Sequence, residues 1–160
     1  MSPAKIWWLS CRCYQLKMEP MAKLLKAVNF LVFKAVLPYQ ARISPDIALE
    51  HYGIGIVIHP NVDIGRNVKI YHNVTLAAET AVGGPTGIHI GDDVLIGAGA
   101  IVIARTDTDL SIGSGARVGA GSVVTRDVPP GVTVAGSPAR PIGVKAESFP
   151  GIPAGSSLQG

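Results

Sequence analysis

The sequence predicts a mainly β protein, in which a parallel β-helix follows a short N-terminal helical segment. Aliphatic residues return at every sixth position over long stretches, a period that fits neither a helix nor a half-buried strand. The 160-residue chain holds 19 glycines and only 6% aromatic residues, so its core must be built from small aliphatic side chains. Near the N-terminus, apolar residues instead recur at the three-and-four spacing of a helix.

The first element is the helical segment, residues 1–42. Glu19-Pro20 predicts a break between two helices. Trp7 and Trp8 add a large apolar patch that must be covered by the rest of the chain, a neighbouring subunit or a lipid surface. The apolar residues at helical spacing are Met21, Leu24, Leu25, Val28, Leu31, Val32 and Ala35.

The second element is the repeat region, residues 43–142. A period of six predicts three short strands per coil, separated by corners of roughly 120°, and stacked coils then bury a prism that no single coil can bury alone. The residues expected to point inward are Ile58, Ile64, Ile70, Leu76, Ile90, Ile96, Val102, Ile112, Val118 and Val124. The small or β-branched residues expected at corners are Val62, Val68, Val74, Val94, Ala100, Ala116 and Ser122.

The remaining element is a tail, residues 143–160, whose proline, glycine and serine content predicts a flexible segment. Cys11 and Cys13 are the only cysteines, and a lone CxC lacks the second ligand pair of a zinc site. We therefore expect reduced thiols in a cytoplasmic protein.

No signal peptide is expected, and the longest apolar stretch is too short to span a bilayer.

Charge is distributed unevenly along the chain. Seven basic residues and one acidic residue precede residue 43, which gives +6 there and −3 in the remainder, for the net +3 of the chain. A basic segment of this kind suits nucleic acid, an anionic membrane or an acidic substrate. Without stacking aromatic residues or a nucleic-acid motif, we expect no nucleic-acid partner and a solvated helix face, with peripheral membrane contact through this segment left open.

Five stretches of residues 43–142 resemble the hexapeptide-repeat acyltransferases, in the branch of serine acetyltransferases and their relatives that acetylate sugars and capsular polysaccharides. The stretches are HYGIGIVIHPNVDIG, IYHNVTLA, IGDDVLIGAGAIV, VGAGSVV and VPPGVTVAGSPAR. The resemblance implies a left-handed parallel β-helix, acetyl-coenzyme A as cosubstrate and no metal. It also implies a homotrimer with each active site between two adjacent β-helices.

His51 falls where this family has its catalytic histidine. An alcohol is a poor nucleophile at neutral pH, and an imidazole base can take its proton in the transition state. Glu50 falls where serine acetyltransferases usually carry aspartate, and a carboxylate there would orient the imidazole. Backbone N–H groups at the glycine-rich corners would stabilise the oxyanion formed from the thioester. The alternatives are a surface-loop histidine and a solvated glutamate.

Three other histidines, His59, His72 and His89, are expected on outer faces or edges of the coils in structural roles, with His72 also able to approach a neighbouring subunit's cleft. Serine acetyltransferases hold the acceptor with an Arg-His pair, whose positions fall on Thr86 and Gly87; His89 lies two residues late. The missing arginine removes a bidentate partner for a carboxylate. The sequence therefore favours a sugar or polysaccharide hydroxyl over free serine, and it leaves the acyl chain length open.

The family's contacts with the pantetheine arm fall by alignment on small residues, which let a ligand approach the backbone but which β-helix corners also require. Arg117 takes the place of a lysine near the phosphates. Arg126 and Arg140 are weaker candidates, for which a solvated surface position is the alternative. The loop 81–87 suits a turn and could overhang the acceptor site. The small residues are Ala78, Ala98 and Ala120.

Two other function classes share this fold. A γ-type carbonic anhydrase needs three histidines around zinc, and none of the four histidines form a five-residue pair on one face. A trimeric β-helix that serves only as a scaffold is the non-enzymatic alternative, because function resides in sites and not in architecture. The presence of His51 favours an O-acetyltransferase over both.

Overall fold

A computed structural model of the chain, which describes residues 2–106 and 108–142, shows two α-helices followed by a parallel β-helix. The predicted fold class is confirmed. The tail expected at residues 143–160 lies outside the described residues.

The β-helix has about four coils, and its short strands form three parallel faces. The first face contains β1 (Arg42–Ile43), β4 (Val62–Ile64), β7 (Ile88–Ile90) and β10 (Leu110–Ile112). The second face contains β2 (Ala48–Leu49), β5 (Lys69–Ile70), β8 (Leu95–Ile96), β11 (Arg117–Val118) and β13 (Thr133–Ala135), with β14 (Arg140–Pro141) antiparallel at its end. The third face contains β3 (Val57–Ile58), β6 (Thr75–Ala78), β9 (Ile101–Ala104) and β12 (Val123–Val124).

The core is the predicted prism of aliphatic side chains. Equivalent residues stack in register, so that Ile70 pairs with Leu49 on one side and with Ile96 on the other. All ten predicted inward residues are buried. The residues expected at corners, from Val62 to Ser122, are buried as well. Val62 points into the prism because inward side chains alternate along a strand, with Val62 and Ile64 on either side of the more exposed Asp63. The other six each lie immediately before a strand.

The corners between the second and third faces use residues with positive φ. Asn73, Gly99 and Gly121 occupy the same corner position in successive coils, with φ of 57°, 67° and 66°. Glycine and asparagine are the residues that adopt this left-handed conformation most readily. A Cβ on Gly97 would lie 2.6 Å from the backbone nitrogen of Ala120, so the coils stack too closely there for a side chain.

The N-terminal segment forms α1 (Pro3–Gln15) and α2 (Glu19–Phe33). The break lies at residues 16–18, before the Glu19-Pro20 pair that was predicted to form it, because proline is favoured in the first turn of a helix. Trp7 is completely buried and its indole Nε1 donates a hydrogen bond to the carbonyl of Pro38 at 2.7 Å. Through Trp7 and Cys11, α1 joins the core of the β-helix.

The second helix packs against α1, but most of its large apolar residues are exposed. Ala22 and Asn29 are buried, and Ser10 on α1 donates a hydrogen bond from its hydroxyl to the Ala22 carbonyl at 2.8 Å. Leu24 is 57% exposed and Leu31 is 66% exposed, with Met21 and Val32 also exposed. No helix within the described residues is long and apolar enough to cross a membrane.

Candidate active site

His51 lies on a bulge in the first coil, at the corner between the second and third faces. Seven residues, 50–56, link β2 to β3, whereas four residues, 71–74, link β5 to β6. Both His51 and Tyr52 adopt the left-handed conformation, with φ of 52° and 58°, which is unfavourable by about 1–2 kcal/mol per residue outside glycine. The Tyr52 ring stacks on Phe33 at a centroid distance of 6.4 Å, so the end of α2 supports the bulge.

The exposed His51 side chain rests against two aromatic rings of the next coil. Its ring centroid lies 5.0 Å from that of His72, with the planes at 89°, and 5.9 Å from that of Tyr71. Glu50 is half-buried, but no hydrogen bond joins its carboxylate to the His51 imidazole in this structure. The structure therefore brings His51 together with His72, which the sequence placed on an outer face, and not with Glu50.

One feature of the sequence relates the two histidines, namely their equal spacing from residues that point into the core. Each comes two residues after an inward residue of the second face, Leu49 for His51 and Ile70 for His72, and those two residues are register partners. The six-residue period does not show this match, because the bulge makes the first corner longer than the second.

A column of small residues continues from His72 along the same corner. The Gly99 N–H donates to the His72 carbonyl at 3.0 Å, and the Gly121 N–H donates to the Ala98 carbonyl at 2.8 Å. These bonds stack His72, Ala98 and Ala120 at the same corner of successive coils. An added Cβ on Gly99 or Gly121 would meet nothing within 4 Å, so the corner is open to a ligand beside the small residues.

The other predicted cofactor residues lie elsewhere. Ala78 pairs with Ala104 at the far end of the third face, away from the His72 corner. Arg126 and Arg140, together with Arg105, line a separate cleft of about 520 Å³ beyond that end. Arg117 is exposed on the second face, next to Thr133 in the ladder. Within the single chain, Ala98 and Ala120 are thus the predicted cofactor residues that share a corner with the histidine pair.

The first face carries a ladder of charged residues. Arg42 donates two hydrogen bonds to Asp63, Nε to Oδ1 at 2.6 Å and Nη2 to Oδ2 at 2.5 Å. His89 lies between Asp63 (Nδ1 to Oδ2, 3.1 Å) and Asp109 (Nε2 to Oδ1, 3.3 Å). Partial burial acts to raise the pKa of Asp63, but the hydrogen bonds and charge of Arg42, with a smaller effect of His89, hold that pKa below its usual 3.8. His89 is exposed in β7 and so lies on an outer face of the coils, as expected.

The loop that carries Thr86 and Gly87 is held by Asn61. The side-chain nitrogen of Asn61, Nδ2, donates to the carbonyls of Ala81, Gly84 and Thr86. The side-chain oxygen, Oδ1, accepts from the Gly83 N–H at 2.8 Å. Gly87 is buried, and a Cβ there would lie 2.2 Å from the Asn61 carbonyl oxygen. This backbone therefore excludes a histidine at the position where the family resemblance expected one.

Among the described residues, no group of three or more His, Cys, Asp or Glu side chains is arranged to hold a metal ion. His59 has a structural contact, since its Nδ1 accepts a hydrogen bond from the Asn61 backbone N–H at 3.1 Å. Cys11 and Cys13 are buried free thiols, and burial raises the pKa of Cys11 to about 12.

Curated relatives of this chain are serine acetyltransferases, although no family model matches it. The chain is 39% identical over 113 residues to the serine acetyltransferase of Mycobacterium tuberculosis, an alignment that covers 71% of this chain and 47% of the relative. It is 38% identical over 113 residues to the serine acetyltransferase of Escherichia coli K12, covering 71% of this chain and 40% of the relative. The chain thus spans about half the length of these relatives or less.

The solved structures that resemble this chain are also serine acetyltransferases. Soybean serine acetyltransferase has a TM-score of 0.76 at 39% identity, covering 86% of this chain and 55% of the soybean chain. The Neisseria gonorrhoeae serine acetyltransferase in complex with serine has a TM-score of 0.76 at 35% identity, covering 85% and 54%. The Brucella abortus serine acetyltransferase in complex with coenzyme A has a TM-score of 0.76 at 32% identity, covering 86% and 53%.

Proposed function

Because this chain belongs to the hexapeptide-repeat acyltransferase superfamily and resembles its serine acetyltransferases, we propose that it transfers an acetyl group from acetyl-coenzyme A to a hydroxyl acceptor. The observation that carries the proposal is the position of His51, in the family's motif and at the end of an open column of small residues. His51 is the general base, which removes the acceptor's hydroxyl proton as the oxygen attacks the thioester carbonyl. The C–S bond then breaks, and the His51 imidazolium returns the proton to the departing coenzyme A thiolate.

The pantetheine arm lies along the corner column, beside Ala98 and Ala120. The Gly99 and Gly121 N–H groups are already bonded to carbonyls of the coil before, so they do not bind the ligand. The N–H groups of Ala98 and Ala120 donate to no backbone carbonyl among the described residues. They are the donors that we assign to the arm and to the oxyanion of the tetrahedral intermediate.

The active unit is a homotrimer, in which a neighbouring chain closes the open side of the corner. Support comes from the family resemblance and from the exposure of His51 in the single chain. Sedimentation velocity on the purified protein tests this assignment, and a monomer that retains acetyl transfer would contradict it.

The acceptor that the named relatives favour is L-serine, and this replaces the sugar acceptor as the first candidate. A sugar hydroxyl is the second candidate because of one specific observation. Thr86 and Gly87 stand where an Arg-His pair was expected, and Gly87 has no space for a side chain. A site without that pair suits an acceptor that lacks a carboxylate.

The first experiment compares wild type with His51→Gln, with coenzyme A release measured in the presence of L-serine and, separately, a panel of monosaccharides. Loss of a general base lowers kcat by roughly 10²- to 10⁴-fold. Circular dichroism checks that the variant is folded, and turnover that survives the substitution would remove His51 from its role. Turnover with L-serine alone selects the first acceptor, and turnover with sugars alone selects the second.

A further inference from the structure

The His51 imidazole needs something to hold it. Its side chain is exposed, it projects from a bulge, and Glu50 provides no hydrogen bond to it. A side chain that is free to rotate spreads over several rotamers. A general base, in contrast, acts only when its nitrogen is held toward the reacting proton, and small misplacements of a catalytic group lower the rate strongly.

The ring of His72 is placed to supply that restraint. An edge-to-face pair with a centroid distance of 5.0 Å and an interplanar angle of 89° has the geometry that aromatic rings prefer. Such pairs are stabilising beyond the effect of the area that they bury. The Tyr71 ring, 5.9 Å away and tilted by 51°, gives His51 a second contact on the same coil.

His72 is itself held firmly. Its carbonyl accepts the Gly99 N–H, which ties it to the next coil, and its backbone lies in the regular corner and not in the bulge. Its Nδ1 atom is buried and has no hydrogen-bond partner among the described residues. An unpaired buried nitrogen is destabilising, so the ring and not this nitrogen stabilises the corner.

We propose that His72 is a positioning residue for His51: its ring fixes the His51 imidazole at the end of the column formed by Ala98 and Ala120. This inference rests on the proposed transferase function. A ring from the neighbouring coil thereby takes the role that the sequence had given to the Glu50 carboxylate.

The experiment compares His72→Ala with His72→Phe. The alanine variant loses the ring contact, and we expect kcat to fall about tenfold or more while the KM for acetyl-coenzyme A changes less than about twofold. The phenylalanine variant keeps the ring and removes the unpaired nitrogen. We expect it to recover at least about a third of the wild-type kcat and to melt at or above the wild-type temperature.

A second readout does not depend on turnover. We expect ring current to displace the imidazole C–H signals of His51, assigned by their loss in His51→Gln, in wild type and in His72→Phe. They shift toward free-histidine values in His72→Ala, and they stay in place in the control His89→Ala, which removes a histidine from the first face.

The two readouts separate the possible failures. If wild type transfers acetyl groups and His72→Ala is as fast as wild type, the positioning role is wrong and the proposed function stands. If wild type transfers nothing, the proposed function fails, and the signals of His51 still decide the ring contact. Unchanged His51 signals in His72→Ala would overturn the inference in either case.

Discussion

At the scale of single residues, Asp63 shows how the outer surface of the coils is held together. Its carboxylate accepts both hydrogen bonds of Arg42 and also contacts His89, so it links three successive coils of the first face. Because these contacts hold its pKa below 3.8 in the folded chain, the ionised form stabilises the fold. Linkage places that stabilisation above the unfolded-state pKa, and it is lost as pH falls through the lower folded-state value.

We therefore expect Asp63→Asn to lower the free energy of unfolding at pH 7. The loss is about 0.2–1 kcal/mol, since the pair is partly solvated. The difference between variant and wild type shrinks as the pH falls below 3.8. Urea unfolding at a series of pH values measures it, and a difference that stays constant into acid would contradict the assigned pKa direction.

Gly97 and Gly99 lie at the same corner, but only Gly99 has space for a side chain. A Cβ on Gly97 meets the Ala120 nitrogen at 2.6 Å and the Gly119 carbonyl carbon at 2.9 Å, so Gly97→Ala must push two coils apart. Overpacking of this kind costs about 1–3 kcal/mol. Gly99 faces open space, and Asn73 already occupies the equivalent position with a positive φ.

Gly99→Asn is accordingly the matched control. We expect it to lower the free energy of unfolding by less than about half as much as Gly97→Ala does. Thermal unfolding followed by circular dichroism compares the two. Equal losses would show that backbone conformation, and not the distance between coils, determines the requirement for glycine.

Single residues also mark the limit of what the sequence predicts about the site. His51 could be found from its motif, because the motif fixes its place before the regular coils. The equal spacing from Leu49 and Ile70 indicates that His72 is a neighbour, but it does not predict a ring contact, since that depends on how far a bulge of three extra residues projects over the next coil. The family resemblance predicts Glu50 as the orienting group, whereas in the structure the His51 ring contacts His72.

At the scale of elements, α2 shows why a periodic pattern does not determine which face is buried. Helical spacing was correctly assigned to this segment, yet Leu24 and Leu31 lie on the side that faces away from α1. The buried side is instead formed around Ala22 and Asn29, each of which takes part in a hydrogen bond to α1, with Ser10 and Pro3 respectively. Periodicity gives the direction of an apolar stripe around a helix but not the neighbour that it faces.

The prediction at this scale contrasts Leu31→Gln with Asn29→Ala. We expect the first to change the free energy of unfolding by less than about 0.5 kcal/mol, because the side chain is 66% exposed. The second removes the hydrogen bond from the Asn29 amide to the Pro3 carbonyl, 3.3 Å, and should cost about 0.5–1.5 kcal/mol. Chemical denaturation of both variants gives the comparison, and a larger loss for Leu31→Gln would show that its stripe is covered in the folded protein.

At the scale of the whole molecule, a solenoid needs a cover at its open end, because the first coil has no coil before it to bury its apolar residues. Here α1 supplies that cover: Trp7 and Cys11 pack into the same cluster as Leu37, Ile47 and Ile56. The six-residue period predicted the prism and its inward residues correctly. The six-residue period could not predict the cover, because α1 is a helix and its apolar residues do not follow that period.

If α1 is the cover, then Trp7 and Trp8, adjacent in sequence, must differ sharply in importance. Trp7 is fully buried and donates a hydrogen bond to the Pro38 carbonyl at 2.7 Å, whereas Trp8 is partly exposed. We expect Trp7→Ala to cost about 3–5 kcal/mol. Trp8→Ala should cost less than about half of that, since less of its surface is removed from water.

Trp7→Phe separates packing from hydrogen bonding. It keeps a large ring over the first coil and leaves the Pro38 carbonyl with only the weak hydrogen bond from the Cys11 thiol at 3.6 Å, so the expected cost is about 1–3 kcal/mol. Guanidinium unfolding followed by far-ultraviolet circular dichroism reports on all three variants. Equal stability of Trp7→Ala and Trp8→Ala would mean that the β-helix keeps its first coil folded without the helical segment. A single cooperative transition, with Trp7→Ala the least stable variant, would mean that helices and coils fold as one unit.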